Sequence, residues 1–298
     1  MPNPSPAVCD YEGSTYRTDF WEGKGRDYED AVERIALRAM LPPAGQRYVD
    51  LGAGFGRLID EAARYDQVVL VDYSRTMLKD AQSRLGRSER YLYVAADLYH
   101  LPFVANCFDV AILCRVIHHL ANAPAALCQI RDSLTPGATF ILEFANKHNL
   151  KAMARYLFRR QAWSPYAHQP EEFVKLNFDF HPEYIRRVLR QAGFVPGRRR
   201  AVSSLRLGLI KSVLPLGLLV ALDRLIQPTG DILPISPSIF VENKTPGERT
   251  PVVPVDAMFR CPACGATDLR REGDVLICGA NGERWAIHDG IYDFKEPV

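Results

Sequence analysis

The sequence predicts an α/β fold: a largely parallel sheet with helices on both faces, followed by a small β unit near the C-terminal end. Three observations carry this. Two short apolar runs, 48–51 and 68–72, each hold an acid at or beside their ends, and the first leads into Gly52, Gly54 and Gly56. Strand-like and helix-like patterns then alternate as far as Phe144, the rhythm of strands joined by crossover helices and buried on both faces. A Pro- and Gly-bearing stretch, 246–257, sets off a last segment that contains Cys261, Cys264 and Cys278.

Taken in order, residues 1–13 read as a loose tail. Asp27 and Asp30 are placed to cap a helix over 28–40, with Val32, Ile35, Ala36, Ala39 and Met40 on one face, and Pro42-Pro43 stops it. Strands are expected at 48–51, 68–72, 91–95, 110–114 and, after the Pro136-Gly137 turn, 139–144. Ser74 opens a helix carrying Met77, Leu78 and Ala81. Beyond Phe144 the alternation breaks. A basic helix is expected over 147–161, then an irregular stretch over 165–181, then a helix that starts at Pro182 and ends at Gly193.

A sixth strand is expected within 200–205 and a seventh at 239–242. Between them, 207–226 is rich in leucine but interrupted by Lys211, Pro215, Gly217, Asp223 and Arg224. That pattern suits a cap over a substrate or a helix lying on a membrane surface. The resulting division is a main domain over 1–245, with cap insertions near 147–181 and 206–236, a linker over 246–257, and a unit over 258–298 too small for an ample core.

The 298 residues carry a net charge of +2, so bulk electrostatics name no partner. Seven scattered cysteines form no disulfide framework, which points to a reducing cytoplasm. The opening Met-Pro-Asn-Pro-Ser-Pro lacks the basic-then-apolar order of a signal peptide. No run reaches the length of a transmembrane span, about 18 apolar residues.

Glycines at alternate positions let the backbone leave a strand sharply and approach a ligand closely. The spacing is G-x-G-x-G, whereas the dinucleotide fingerprint is G-x-G-x-x-G. A carboxylate two residues before the first glycine suits an amino group and a sulfonium better than a diphosphate. Asp72 follows at the distance of an acid that accepts bonds from a ribose diol.

The ordered set Asp50-x-Gly52-x-Gly54-x-Gly56, Asp72 and Asp97 resembles the class I S-adenosylmethionine (SAM)-dependent methyltransferases. Phe108-Asp109-Val110-Ala111 and Val116-Ile117-His118-His119-Leu120 are similar to the group that includes quinone and other small-molecule methyltransferases. The resemblance spans roughly 14–245 and implies a Rossmann-like, seven-stranded sheet with SAM at the strand ends. It assigns Asp50 and the 52–56 backbone to the methionine part of SAM and Asp72 to the ribose. Tyr73, Asp97 and Leu98 go to the adenine, and Cys114 lies on the same cofactor side.

Tyr16, Phe20, Trp21 and Arg26 either help to close this pocket or pack. His118 and His119 stand where the acceptor enters, as a general base or as packing. Arg115 is placed to pair with an acidic acceptor group, and Glu143 is a further acid or base.

Two features point elsewhere. Residues 151–200 hold eleven Lys/Arg against four Asp/Glu, so the basic 147–200 region suits RNA phosphates, an anionic membrane surface or plain solvent. The tail resembles the zinc-ribbon domains of the small subunit that activates RNA- and protein-modifying methyltransferases. There two C-x-x-C knuckles make a four-thiolate site. Here the second knuckle reads Cys278-x-x-Asn281. The resemblance therefore implies either three cysteine ligands completed by His288, another side chain or water, or a metal-free relic. The leading expectation is a methyltransferase acting on a small or lipophilic acceptor. An RNA or protein methyltransferase that recruits through the ribbon, and a catalytically silent SAM-binding scaffold, remain as alternatives.

Overall fold

The computed structural model describes residues 6–14, 21, 25–206 and 208–298. Tyr16 and Phe20, expected near the pocket, lie outside the described residues. The chain opens with α1 (Asp27–Met40), whose first turn carries Asp27, Glu29 and Asp30 where carboxylates suit the helix dipole. Then come β1 (Gly45–Leu51), β2 (Tyr65–Asp72), α2 (Arg75–Leu85), β3 (Tyr91–Ala95), β4 (Phe108–Leu113), α3 (Ala123–Ser133) and β5 (Leu134–Ala145). Ser74 caps α2, its hydroxyl accepting from Met77 N at 3.2 Å.

The second half differs from its sequence reading. The helix expected over 147–161 is only α4 (Leu150–Leu157), because Asn149 caps it and Lys147 N is bonded to Phe180 O at 3.0 Å. The irregular stretch contains a hairpin, β6 (Glu171–Val174) and β7 (Asn177–Asp179). Next are α5 (Pro182–Gln191), β8 (Val195–Val202), which starts before the expected sixth strand, α6 (Gly208–Val213), α7 (Leu216–Ile226) and β9 (Ser238–Lys244). The tail forms β10 (Leu269–Glu272), β11 (Val275–Cys278), β12 (Arg284–His288) and β13 (Ile291–Asp293).

One sheet runs in the order β10-β11-β12-β13-β3-β2-β1-β4-β5-β9-β8. The seven strands from β3 to β8 are those expected, with β1 to β5 parallel and β9 antiparallel to its neighbours. The sheet nevertheless has 11 strands, and this corrects the reading of the tail as a separate small β layer. β13 pairs in parallel with β3, Ile291 opposite Tyr93, and so covers a sheet edge that would otherwise present unpaired backbone groups. The stretch before the tail is bonded to the body as well: Val253 N donates to Asn106 O at 3.0 Å, and Arg47 Nη1 to Val253 O at 2.9 Å.

Residues 6–14 are likewise docked and not loose. Glu12 accepts from Arg75 N at 2.8 Å and from the Thr76 hydroxyl at 2.7 Å, so its carboxylate answers one open N–H group and a side chain at the start of α2.

Ile291 is fully buried in the same cluster as Tyr93, Ala95 and Leu78 of the main sheet. Ile291→Ala is therefore expected to lower stability by roughly 2–5 kcal/mol, as for a buried large-to-small change. Denaturant melts should show the whole transition shifting; an unshifted main transition would mean the tail is energetically independent.

Candidate functional site

In an open α/β sheet the ligand crevice forms where the strand order reverses, here between β1 and β4. The loops leaving these two strands touch. Gly52 has φ +74°, and a Cβ there would lie 2.2 Å from Val116 Cγ2, so only glycine fits. Above them opens a cleft that holds about 1010 Å³ of empty space when the open solvent at its mouth is counted.

The cleft brings together most of the expected residues: Asp50, Gly52, Gly54, Asp72, Tyr73, Asp97, Leu98 and Cys114 on one side, Arg115 and His119 on the other. Gly56, His118 and Glu143 are not among its lining. Gly56 faces away, its Cβ position 3.2 Å from both Leu70 Cδ2 and Leu85 Cδ1, and so serves close packing of the loop against α2. His118 is buried beside His119, with ring centroids 4.1 Å apart. Its Nδ1 has no hydrogen-bond partner among the described residues, and burial holds its pKa well below the usual imidazole value.

The floor is acidic. Asp72 accepts from Gly54 N and from Ser74 N, both at 2.8 Å, which ties the glycine loop to the end of β2. Burial, against these two bonds, pushes its pKa up to about 6. Burial also pushes Asp50 up to about 7, opposed by Arg57 and reinforced by Asp72. Among the described residues no donor bonds the Asp50 carboxyl. Two desolvated carboxyls beside one cleft are stabilised by a cationic ligand.

The wall opposite is held by a carboxylate that the sequence reading missed. Glu33 of α1 is fully buried and accepts from Arg57 Nη2 at 2.7 Å and from Arg115 Nε at 2.8 Å. Burial alone would raise its pKa, but Arg115 and Arg57 overcome this and hold it below the ordinary carboxylate value. The buried face of α1 includes Tyr28, Val32, Glu33, Ala36, Leu37 and Met40, shifted from the expected one, since Ala39 is exposed. An acid on that face requires a buried partner. Arg115 has φ 59° and is kept there partly by Glu143, whose Oε2 accepts from Arg115 N at 2.8 Å. Ser238 Oγ takes the other oxygen at 2.6 Å, so Glu143 positions Arg115 and is itself absent from the lining. Trp21 lies across both guanidinium groups, its ring centroid 3.9 Å from Arg57 Cζ and 5.1 Å from Arg115 Cζ, and closes the cleft from above.

His119 stands at the remaining side. Its Nδ1 is 3.0 Å from Leu176 O, and its Nε2 is 3.2 Å from the Tyr11 hydroxyl. A carbonyl only accepts, so Nδ1 carries the proton and Nε2 accepts from Tyr11. Burial lowers the pKa of His119, so the ring is neutral at pH 7 with its basic nitrogen turned to a cleft-lining hydroxyl. Tyr11 and Leu176 were not singled out by the sequence, since their partner lies 108 and 57 positions away.

In the tail, the Cys261, Cys264 and Cys278 Sγ atoms lie within 4.8 Å of one another, Cys264 and Cys278 at 3.6 Å. A tetrahedral zinc with Zn–S near 2.3 Å sets its sulfurs about 3.8 Å apart, so the thiols fit three corners of such a site. The Asn281 amide nitrogen is 4.0 Å from Cys261 Sγ, and Glu283 Oε2 is 3.6 Å from the same sulfur. His288, the expected fourth candidate, is not part of this cluster.

The family described as a methyltransferase domain matches residues 49–142, the span that contains the glycine loop, Asp72, Asp97 and both histidines. A demethylmenaquinone methyltransferase from Clavibacter sepedonicus is 28% identical over 232 residues, 72% of this chain and 92% of that protein. A ubiquinone/menaquinone biosynthesis C-methyltransferase from Pseudomonas putida is 30% identical over 182 residues, 54% of this chain and 70% of that protein. Among solved structures, a chain from the complex of the Haloferax volcanii Trm112 methyltransferase activator with a methyltransferase superposes with a TM-score of 0.55. It is 16% identical and covers 78% of this chain and 96% of that chain, a likeness of fold alone. With the acid-floored cleft at the switch point and relatives matched over most of their length, the chain belongs to the SAM-dependent methyltransferases.

Proposed function

We propose that this methyltransferase acts on a small, lipophilic acceptor of the quinone type, methylating a ring carbon next to a hydroxyl. The observation that carries the reading is His119: a neutral imidazole with its basic Nε2 at the acceptor side of a cleft roofed by Trp21. Two relatives, a demethylmenaquinone methyltransferase and a ubiquinone/menaquinone biosynthesis C-methyltransferase, support the acceptor class.

SAM, when bound, supplies an electrophilic methyl group on a sulfonium that leaves as a neutral thioether. In this reading Asp50 takes the ammonium of the methionine part, and the Gly52 and Gly54 backbone passes beside it. Both Asp72 oxygens already hold loop N–H groups, and their remaining lone pairs accept from the ribose diol. Tyr73, Asp97 and Leu98 border the adenine, and Cys114 the sulfur end. The Tyr11 hydroxyl would give its proton to His119 Nε2 as it takes that of the acceptor hydroxyl, so that ring electron density moves to the attacking carbon. Once methylated, that carbon returns its own proton to the oxygen, and the proton on His119 leaves to solvent. Arg115, locked by Glu33 and Glu143, faces the oxyanion formed. The chain's other task is alignment with exclusion of water, which Trp21 and the β6–β7 hairpin perform from above.

We further propose that residues 258–298 act as an accessory unit whose three cysteines take zinc optionally. The fourth corner would fall to Glu283 rather than to Asn281, because a carboxylate is a zinc ligand and an amide is a poor one.

Three outcomes follow from these assignments. The SAM cation binds the ionised form of Asp50, so affinity should rise about tenfold from pH 6 to pH 8, the change in ionised fraction of a group with pKa about 7. Binding should release a proton in calorimetry, and Asp50→Asn should flatten the profile; a flat wild-type profile would refute this role.

With a reduced, demethylated naphthoquinol in detergent as acceptor and labelled SAM as donor, His119→Ala should lose activity by roughly 10²–10⁴-fold while SAM affinity holds. Methyl transfer to RNA or protein, with none to any quinol, would sink the acceptor assignment.

Chelation should change thermal stability little, since β13 and the buried Met258, Ile291 and Phe294 hold the tail regardless. One zinc per chain in protein purified without added metal, with tail unfolding on its removal, would show the metal to be structural.

A further inference from the structure

The cap insertions carry a feature that methyl transfer does not require: they are built inside out. A helix on a protein surface normally turns its apolar stripe inward and its polar residues to water. In α7 the polar residue is inside. Asp223 is fully buried, accepting from Tyr28 Oη at 2.6 Å and from Ser204 N at 2.8 Å. One turn on, Gln227 is buried too and donates to Val32 O at 2.9 Å. Leu219 packs inward beside Asp223, but Leu218, Leu222 and Leu225 point the other way and are exposed, Leu225 by 76%, with Arg224 exposed among them. Their spacing, i, i+4 and i+7, makes one continuous outward stripe.

The stripe continues. Ile232, 89% exposed, and Leu233 follow the turn after α7. The next residues hold the start of α4: Leu150 N donates to Ile235 O at 3.0 Å, and Asn146 Nδ2 to Pro234 O at 2.9 Å. From there α4 offers Leu157 and Phe158, 76% and 70% exposed. At the hairpin, Phe173 and Val174 are also more than half exposed. Apolar exposure on this scale marks an interaction surface.

Its charge says which kind. Residues 148–170 contain four Lys/Arg and no Asp or Glu, and the hairpin that follows adds Glu171 and Glu172 against Lys175. Lys151, Arg155, Arg159 and Arg160 are exposed among the apolar groups of α4 and its end. Outward apolar side chains interleaved with basic ones match an anionic lipid interface, where the former enter the acyl boundary and the latter meet phosphate groups. No helix among the described residues is long and apolar enough to cross a membrane, so the match is to a helix lying in the interface plane.

We propose that α4, the β6–β7 hairpin tip, α7 and the turn after it form a docking face for an anionic lipid bilayer. Its position gives it a use. Leu176, at the turn of the exposed hairpin, supplies the carbonyl that orients His119, so the docking face and the acceptor end of the cleft share one element. A lipophilic acceptor would pass from the bilayer to His119 without crossing water. This use rests on the quinone-type reading, whereas the docking itself does not.

The test is sedimentation of the full chain with vesicles of phosphatidylcholine, with and without phosphatidylglycerol. Binding is expected to the anionic vesicles and to weaken with salt. Leu218→Ser with Leu225→Ser should weaken it by at least about tenfold, given the area withdrawn from the acyl boundary. Replacing Lys151, Arg155, Arg159 and Arg160 by Gln should remove most of the salt dependence. These positions are exposed, so melting temperature and SAM affinity should stay unchanged and serve as controls. Absence of binding to anionic vesicles would overturn the proposal. So would a wild-type dimer that the leucine variant converts to monomer with vesicle binding unaltered, since the face would then be a self-interface. Vesicle binding without methylation of any quinol would keep the docking face and reject the acceptor class. Methylation of a quinol without vesicle binding would do the reverse.

Discussion

The structure around the site depends on one buried carboxylate. Glu33 reaches from α1 into the gap between the loop after β1 and the turn after β4, and it is held by Arg57 from one and Arg115 from the other. A charge at zero exposure is tolerated only with such partners, and removing one from a buried pair costs roughly 3–5 kcal/mol. The three segments are thus obliged to stay together. The same constraint fixes Arg115 in a left-handed conformation that a side-chain-bearing residue seldom adopts. It also sets two guanidinium planes under the Trp21 ring, so the roof of the cleft is a consequence of the pair.

Across the cleft the logic is reversed. Asp50 and Asp72 are desolvated without a full complement of cations, and both carboxyls are held above their ordinary pKa. One wall has its charges satisfied internally, and the other keeps an unmet demand for positive charge. That asymmetry suits a cosubstrate that is cationic at both its ammonium and its sulfonium, and it distinguishes this glycine loop from the dinucleotide type. The tail takes part. Lys295 lies 4.8 Å from the Tyr73 ring and 3.5 Å from Glu12, and Arg75 meets Asp293 at 3.1 Å. The C-terminal strands therefore brace the N-terminal segment that borders the cleft with Val8, Cys9 and Tyr11.

The cap also spends its polar groups inward. Lys147 is buried, donating to Gln169 O at 2.9 Å with its ammonium 5.5 Å from the Trp163 ring, and Asp223 anchors α7 to α1 through Tyr28. With polar side chains holding the insertions to the body, apolar ones are left outside. The exposed apolar stripe of α7 and α4 thus lies on the same insertions as the hairpin whose Leu176 carbonyl meets His119.

What the sequence alone determined was local. Gly52 and Gly54 with their positive φ, the acids that close β1 and β2, the Ser74 cap and the exact span of β3 follow from neighbours a few positions apart, where backbone geometry is decided. The seven-strand rhythm was legible for the same reason, because alternation and turn residues are short-range signals. What only the tertiary structure decided was non-local. Gly56 shares the positive φ of its two partners in the loop, yet only the arrival of Leu70 and Leu85 turns it from the cleft to packing. Lys147 reads as part of a basic helix, yet the pairing of its backbone with Phe180 sends its side chain inside. His118 and His119 are indistinguishable as a pair, and only the hairpin carbonyl and the Tyr11 hydroxyl single out the second. The tail reads as a small unit set off by a linker, yet the open edge of β3, some 200 positions earlier in the chain, draws β13 into the main sheet. In each case the deciding partner is distant in sequence, and a pattern of neighbours carries no record of it.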